Sequence, residues 1–311
     1  MSTAAGEAVV SRTSRLLLAM AAVAVAFAAA DTYVVVLALP DMMTGVGVPI
    51  DQLQRAAPIV SGFLLGYVAM LPLIGRIADL RGRVPVLVMA LVLFALGSLI
   101  TTLAYDMPSI VVGRFLQGVG GGGLVPATLA LVADLYPVER RGVPLGVVSA
   151  VQEIGSVLGP LFGAAVLAVA DWRAIFAINV AVGLVLAAAI RALAPQRRPV
   201  GARRRPDLVG LLLLLATFAC AAVVFLRPAA LMRDLMWGRL FVPFADDGRW
   251  LTPIGMATVV ALVLLLAWCW LAPRPLLDLR GWIRVLVDAD LVGALLLAAA
   301  LGGVILSLIH I

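Results

Sequence analysis

Apolar residues run along this chain in long blocks, broken by short stretches that carry arginine, glycine, proline and aspartate. A bilayer core about 30 Å thick needs roughly 20 apolar residues in a helix rising 1.5 Å per residue. Nine blocks fall in that range: 16–39, 57–75, 84–104, 109–133, 143–168, 174–194, 208–226, 253–272 and 289–306. The pattern predicts an all-α polytopic membrane protein. Arg12 and Arg15 before the first block resemble the start of a signal peptide, but the apolar run resumes after Asp31 and continues through Tyr33 to Leu39. That is too long for a cleaved leader.

Composition agrees with the pattern. A soluble domain does not carry 64% hydrophobic and 13% charged residues, because water would have to cover that surface. All 23 basic residues are arginine and the net charge is +6, which with the abundant Ala, Gly and Val suggests a high-GC genome. A nucleic-acid binder would cluster such charge on one soluble face; here the arginines sit between the apolar blocks. With the amino terminus in the cytoplasm, 16 arginines fall in inside segments and 6 in outside segments, with Arg114 inside a span. This positive-inside bias sets a multi-pass orientation in the inner membrane with a cytoplasmic N-terminus.

The segments follow. Residues 1–15 read as a cytoplasmic tail, 16–194 as a six-helix amino-terminal bundle and 195–207 as a basic cytoplasmic linker. Residues 208–272 hold two inserted transmembrane helices, 273–288 an amphipathic cytoplasmic segment, and 289–305 the first helix of a truncated second bundle. The outer loop from Arg227 to Thr252 carries Trp237, Trp250, Asp246 and Asp247 and is expected at the interface. Between Leu276 and Val287, apolar residues alternate with Arg280 and Arg284 in the manner of a helix lying on the inner surface. Residues 306–311 read as the translated transposase end used in DNA library preparation, so the sole histidine, His310, is assigned no chemistry. Cys220 and Cys269 lie in apolar runs without metal-ligand spacing and are read as inert thiols.

Three motifs carry mechanism. Between the second and third blocks stand Gly75, Asp79, Gly82 and Arg83, glycines at both ends of a turn with an acid among arginines. Asp79 can accept from an arginine or a helix amino terminus and hold that side closed, and the run resembles the signature loop of the major facilitator superfamily. Arg114, Gln117 and Gly118 match a second motif of that family, and the glycines from Gly118 to Gly123 let helices approach closely. Gly155, Gly159, Pro160 and Gly163 match a third, which by resemblance marks antiporters.

Two carboxylates, Asp31 and Glu153, lie inside apolar blocks, where each costs on the order of 2.5–3.5 kcal/mol at a helix centre. By helix rise, Asp31 is about 22 Å and Glu153 about 15 Å from the inner face, and Arg114 about 8 Å from the outer one. Asp31 and Arg114 are expected to pair in one state, and protonation of Asp31 or Glu153 to release the pair.

Asp31, Thr32, Tyr33 through Pro40, with Asp171, Trp172, Arg173, Phe176, Ile178 and Asn179, resemble the fourteen-helix branch of drug:proton antiporters. The two extra helices of that branch match blocks seven and eight. The combination of Gly47–Ile50, Gln52 and Leu53 with Gln152–Val157 is similar to the mycobacterial triacylglyceride exporters that work with a periplasmic lipoprotein. The resemblance implies proton-coupled export of a lipophilic substrate by alternating access, with the proton gradient as energy source and no cofactor. The partners it implies are a lipid or lipophilic small molecule, membrane lipids and a periplasmic lipoprotein, with no nucleic acid. Tyr33, Phe63, Tyr67 and Phe115 would suit aromatic drugs equally, so multidrug efflux stays open, as does a non-transporting scaffold or sensor. No Ser–His, Cys–His, metal or phosphate-loop constellation points to an enzyme.

Overall fold

The computed structural model of the protein describes residues 12–194, 207–234, 237–244, 249–273 and 278–289, together with residues 292, 293, 296, 297, 299, 300 and 303. The expected tail through residue 11, most of the basic linker, most of the ninth block and residues 306–311 lie outside the described residues. The described elements are helices: α1 (Arg12–Gly45), α2 (Leu53–Arg81), α3 (Arg83–Leu103), α4 (Met107–Leu135), α5 (Gly142–Leu167), α6 (Trp172–Leu193), α7 (Leu208–Leu226), the short α8 (Ala229–Met232), α9 (Pro253–Leu271) and α10 (Leu279–Asp288), with three single 3₁₀ turns. Eight of them are long and apolar enough to cross a membrane.

The helices outrun their apolar blocks. The 34 residues of α1 extend about 51 Å at helical rise, well beyond a 30 Å core, so the helix is longer than a perpendicular crossing requires. Local sequence sets the ends. Asp106 accepts from the Ser109 amide at 2.9 Å and forms a capping box with that serine at the start of α4. Asp171 accepts from the Arg173 amide at 2.6 Å to start α6. Thr252 caps α9, with Pro253 as its first residue.

The chain forms two compact units. In the first, which holds α1 to α6, α4 lies between α2 and α3, α5 runs along α1, and α6 along α3. Exchanging α1, α2, α3 for α4, α5, α6 turns the α1/α5 pair into α4/α2 and returns α3/α6 to itself. That is the packing pattern of an internal repeat of three helices.

Small residues allow the close crossings. A Cβ on Gly155 or Gly159 would lie 2.3 and 2.5 Å from the carbonyl oxygens of Ala26 and Ala30. On α4, Gly118 and Gly122 meet the α2 backbone at Phe63 and Tyr67, while Gly120 meets α3 at Phe94.

In the second unit α7 and α9 form an antiparallel hairpin. Trp268, near the end of α9, donates its indole N–H to the Asp207 carboxylate at the start of α7, 3.1 and 3.2 Å from its two oxygens. At the other end Arg249 donates to the Phe225 carbonyl at 3.2 Å. In the loop that joins α7 and α9, Trp250 lies edge-on to Phe225 at 5.6 Å between centroids.

Candidate membrane-buried site

Asp31 and Arg114 are brought together inside the first unit. Arg114 Nη1 donates to Asp31 Oδ2 at 2.6 Å, and the two residues are 1% and 2% exposed, respectively. The pair ties α1 to α4. Further hydrogen bonds within the same pocket support both groups, as a buried ion pair requires. Asn179 on α6 donates its side-chain amide to Asp31 Oδ1. Arg114 also donates from Nη1 to Gln117 Oε1 at 2.7 Å and from Nε to the Ile59 carbonyl of α2 at 3.4 Å. The Phe63 ring lies 4.4 Å from the guanidinium carbon and the Phe176 ring 5.8 Å, so the cation is held between two π faces as well. Four helices, α1, α2, α4 and α6, thus meet on one charge pair.

Asn179 was the unassigned member of this network. Its signal was a single amide in the apolar stretch of α6, where an unpaired polar group is costly. Gln117 keeps its Nε2 without a partner among the described residues.

Glu153 is separate from this network, and of the two carboxylates in apolar blocks only Asp31 is buried. Glu153 is exposed on α5 and lines a cavity of about 180 Å³ with Thr32, Tyr33, Phe63, Tyr67 and Gln152. Phe115 lies outside that lining. The reason is angular: Gly155, two residues on, faces the α1 backbone, and two helical steps turn a side chain by about 200°. Asp31 instead borders a second, almost wholly apolar crevice of about 260 Å³ between α1, α5 and α6, with Phe27, Leu158, Phe162 and Asn179. Phe63 is common ground: it lines the Glu153 cavity and covers Arg114.

The third motif divides in the same way. Gly155, Gly159 and Gly163 face α1, meeting Ala26, Ala30 and Val34 in steps of one helical turn. Pro160 lies on the exposed side of α5.

The Gly75–Arg83 segment is mostly helix, which corrects the expectation of a loop bounded by two glycines. α2 continues through Arg81, and Gly75 sits within it with open space where a Cβ would be. The whole turn is made by Gly82, at φ +88° and ψ 155°, a region that L-residues avoid. Arg83 then joins Asp79 on α2 at 2.5 Å and Asp134 at the end of α4 at 3.3 Å. Asp134 was not anticipated, since nothing local relates it to a residue 51 positions earlier. Beside it Arg141 closes the end of α4 by donating to the Ala133 and Tyr136 carbonyls at 2.6 and 2.9 Å.

Comparisons with known proteins bear on this arrangement. The family model of the Major Facilitator Superfamily matches residues 21–310. A triacylglyceride transporter of Mycolicibacterium smegmatis is 38% identical over 83% of this chain and 44% of its own length. One from Mycolicibacterium hassiacum is 38% identical over 87% of this chain and 49% of its own. The chain thus spans about half the length of the curated relatives it matches. Among solved structures, the POT family transporter PepTSo is matched at 15% identity and TM-score 0.49, over 81% of this chain and 52% of that one. A family model covering nearly the whole sequence, on an all-helical fold with eight apolar spans, places this chain in the major facilitator superfamily.

Proposed function

We propose that this chain serves proton-coupled export of a lipophilic substrate, of the triacylglyceride class, across the inner membrane by alternating access. The observation that carries the reading is the Asp31–Arg114 pair, excluded from water and shared among four helices. A charge pair so placed is costly unless used, and protonating Asp31 removes one of its two charges. Arg114 then has to find another acceptor, which couples a proton to helix rearrangement. Glu153 has the complementary position: open to the cavity, it can exchange protons or meet substrate where Asp31 cannot. Alternating access is rigid-body motion about such a site, and the Arg83 bridge between α2 and α4 acts as the cytoplasmic gate. The lipid class follows the named relatives, and a periplasmic lipoprotein would receive the cargo. In this reading the N-terminus and the Gly82 turn face the cytoplasm, by the arginine asymmetry.

The experiment is transport in proteoliposomes with an imposed proton gradient and labelled triacylglyceride. Gradient-driven extraction that depends on the protein supports the proposal, and flux unchanged in both Asp31→Asn and Glu153→Gln overturns its coupling.

One observation favours a second reading, multidrug efflux. A carboxylate among Tyr33, Phe63 and Tyr67 is a setting that suits aromatic cations. Dye efflux in the same vesicles, without triacylglyceride movement, would select it.

A further inference from the structure

We infer that the Glu153 cavity takes a neutral glyceride with a free hydroxyl group, of the diacylglycerol kind, in preference to a fully esterified one. The inference rests on the export reading above and specifies its cargo. Among the described residues Glu153 is the only charged side chain on the lining. Nothing there compensates an anion, so lipids of net negative charge are disfavoured by repulsion.

The polar groups of the cavity divide into two kinds. Thr32 donates its hydroxyl to the Ala28 carbonyl at 3.3 Å and Ser156 to the Gln152 carbonyl at 3.2 Å, so each is turned back onto its own helix. The Glu153 carboxylate, the Gln152 amide and the Tyr33 and Tyr67 hydroxyls have no hydrogen-bond partner among the described residues. Three helices bring these four groups together: α1 carries Tyr33, α2 carries Tyr67, and α5 carries the adjacent Gln152 and Glu153. An amide and two phenols can donate, whereas a carboxylate that has released its proton can only accept. Val25, Leu64, Val125 and the Phe63 ring supply an apolar wall.

An exporter that exchanges cargo for a proton loads its cargo on the deprotonated carboxylate, because the two compete for one group. The cargo then has to bring a donor to Glu153 and acceptors to Gln152 and the tyrosines. A diacylglycerol has one hydroxyl beside two ester carbonyls, and the first methylenes of its chains meet the apolar wall. A triacylglycerol has acceptors alone, and closing the site over it leaves the carboxylate desolvated and unpaired. An apolar cation satisfies Glu153 but gives the amide and phenol donors nothing to meet. A site built around a substrate hydroxyl discriminates through the groups left unpaired in its absence.

The test uses the full chain in nanodiscs of phosphatidylcholine, a lipid without a hydroxyl, at neutral pH and with no proton gradient. A dioleoylglycerol probe with a photoreactive acyl chain is captured in competition with unlabelled dioleoylglycerol, its 3-O-methyl ether or trioleoylglycerol. Dioleoylglycerol is expected to displace the probe at concentrations at least about tenfold lower than the ether or the triester. Glu153→Gln, whose amide can itself donate, should bring the three within about twofold of one another. Equal competition by the three on the unaltered chain overturns the inference, as does a failure of the protein to capture the probe. So does a preference that persists in Glu153→Gln, or displacement by oleylamine at lower concentration than by dioleoylglycerol. Triacylglyceride export accompanied by equal competition sinks the cargo assignment alone. Absence of gradient-driven export with the hydroxyl preference intact sinks the export reading alone.

Discussion

Asp31 Oδ2 and Arg114 Nη1 stand 2.6 Å apart although 83 residues separate them in the chain. Removing one member of such a pair leaves an uncompensated charge, which typically costs about 3–5 kcal/mol. Arg114→Ala should therefore lower the melting midpoint sharply, because Asn179 alone remains to hold Asp31. Asp31→Asn, which keeps shape and leaves Arg114 its bonds to Gln117 and Ile59, should cost less. Combining Asp31→Asn with Arg114→Gln should recover part of the loss. A parental midpoint for Arg114→Ala in a detergent melt would show that the pair does not hold the bundle together.

The α5 glycines give a sharper contrast. Gly155→Ala and Gly159→Ala place a methyl 2.3 and 2.5 Å from backbone oxygens of α1, and backbone cannot turn aside. α5 must move off α1, at roughly 1–3 kcal/mol for each change. Gly75→Ala, with nothing within 4 Å in the middle of α2, should instead gain about 0.5–1 kcal/mol from helix propensity. Melting midpoints of the three variants in one detergent decide the matter, and equal shifts for Gly155→Ala and Gly75→Ala would refute the packing argument.

Much of this was legible before any coordinates, and the physical reason is the bilayer. Twenty apolar residues have few alternatives to a spanning helix, so α1 to α7 and α9 follow from the blocks. What the blocks could not set was their ends: a helix continues into the headgroups as long as its backbone finds partners, which is why α2 reaches Arg81 and absorbs Gly75. The Asp31–Arg114 pair was legible because two opposite charges in apolar runs have few other solutions. The exposure of Glu153 was not legible because depth along a helix says nothing of direction around it. The α1 contact of Gly155 decides that direction, and only packing reveals it. Asp134 and Asn179 were missed for a related reason: their partners lie on other helices, at sequence separations of 51 and 148 from Arg83 and Asp31.

Gly82 carries the whole α2–α3 turn at φ +88°. Gly82→Ala should cost about 1–3 kcal/mol in backbone strain, read as a drop in midpoint. Arg83→Ala should cost less than about 1 kcal/mol, because Asp79 and Asp134 are 65% and 54% exposed and water screens the bridge. A larger loss for Arg83→Ala than for Gly82→Ala would mean that the bridge, rather than the turn, holds this end of the bundle.

Asp31 and Glu153 can be separated by pairing two measurements. Glu153 is exposed to its cavity, so Glu153→Gln should melt within about 0.5 kcal/mol of the parent, as surface changes do. Asp31→Asn should both destabilise and uncouple, since the same carboxylate holds α1 to α4 and α6. In proteoliposomes, gradient-driven flux should fall at least tenfold in Asp31→Asn. For Glu153→Gln the drop should come without any change in midpoint, because in the proposed mechanism that carboxylate meets the transported species or its proton, and it is exposed to the cavity rather than packed. Flux at the parental rate in Glu153→Gln would leave Asp31 as the sole coupling acid, and a lowered midpoint would mean that Glu153 holds structure after all.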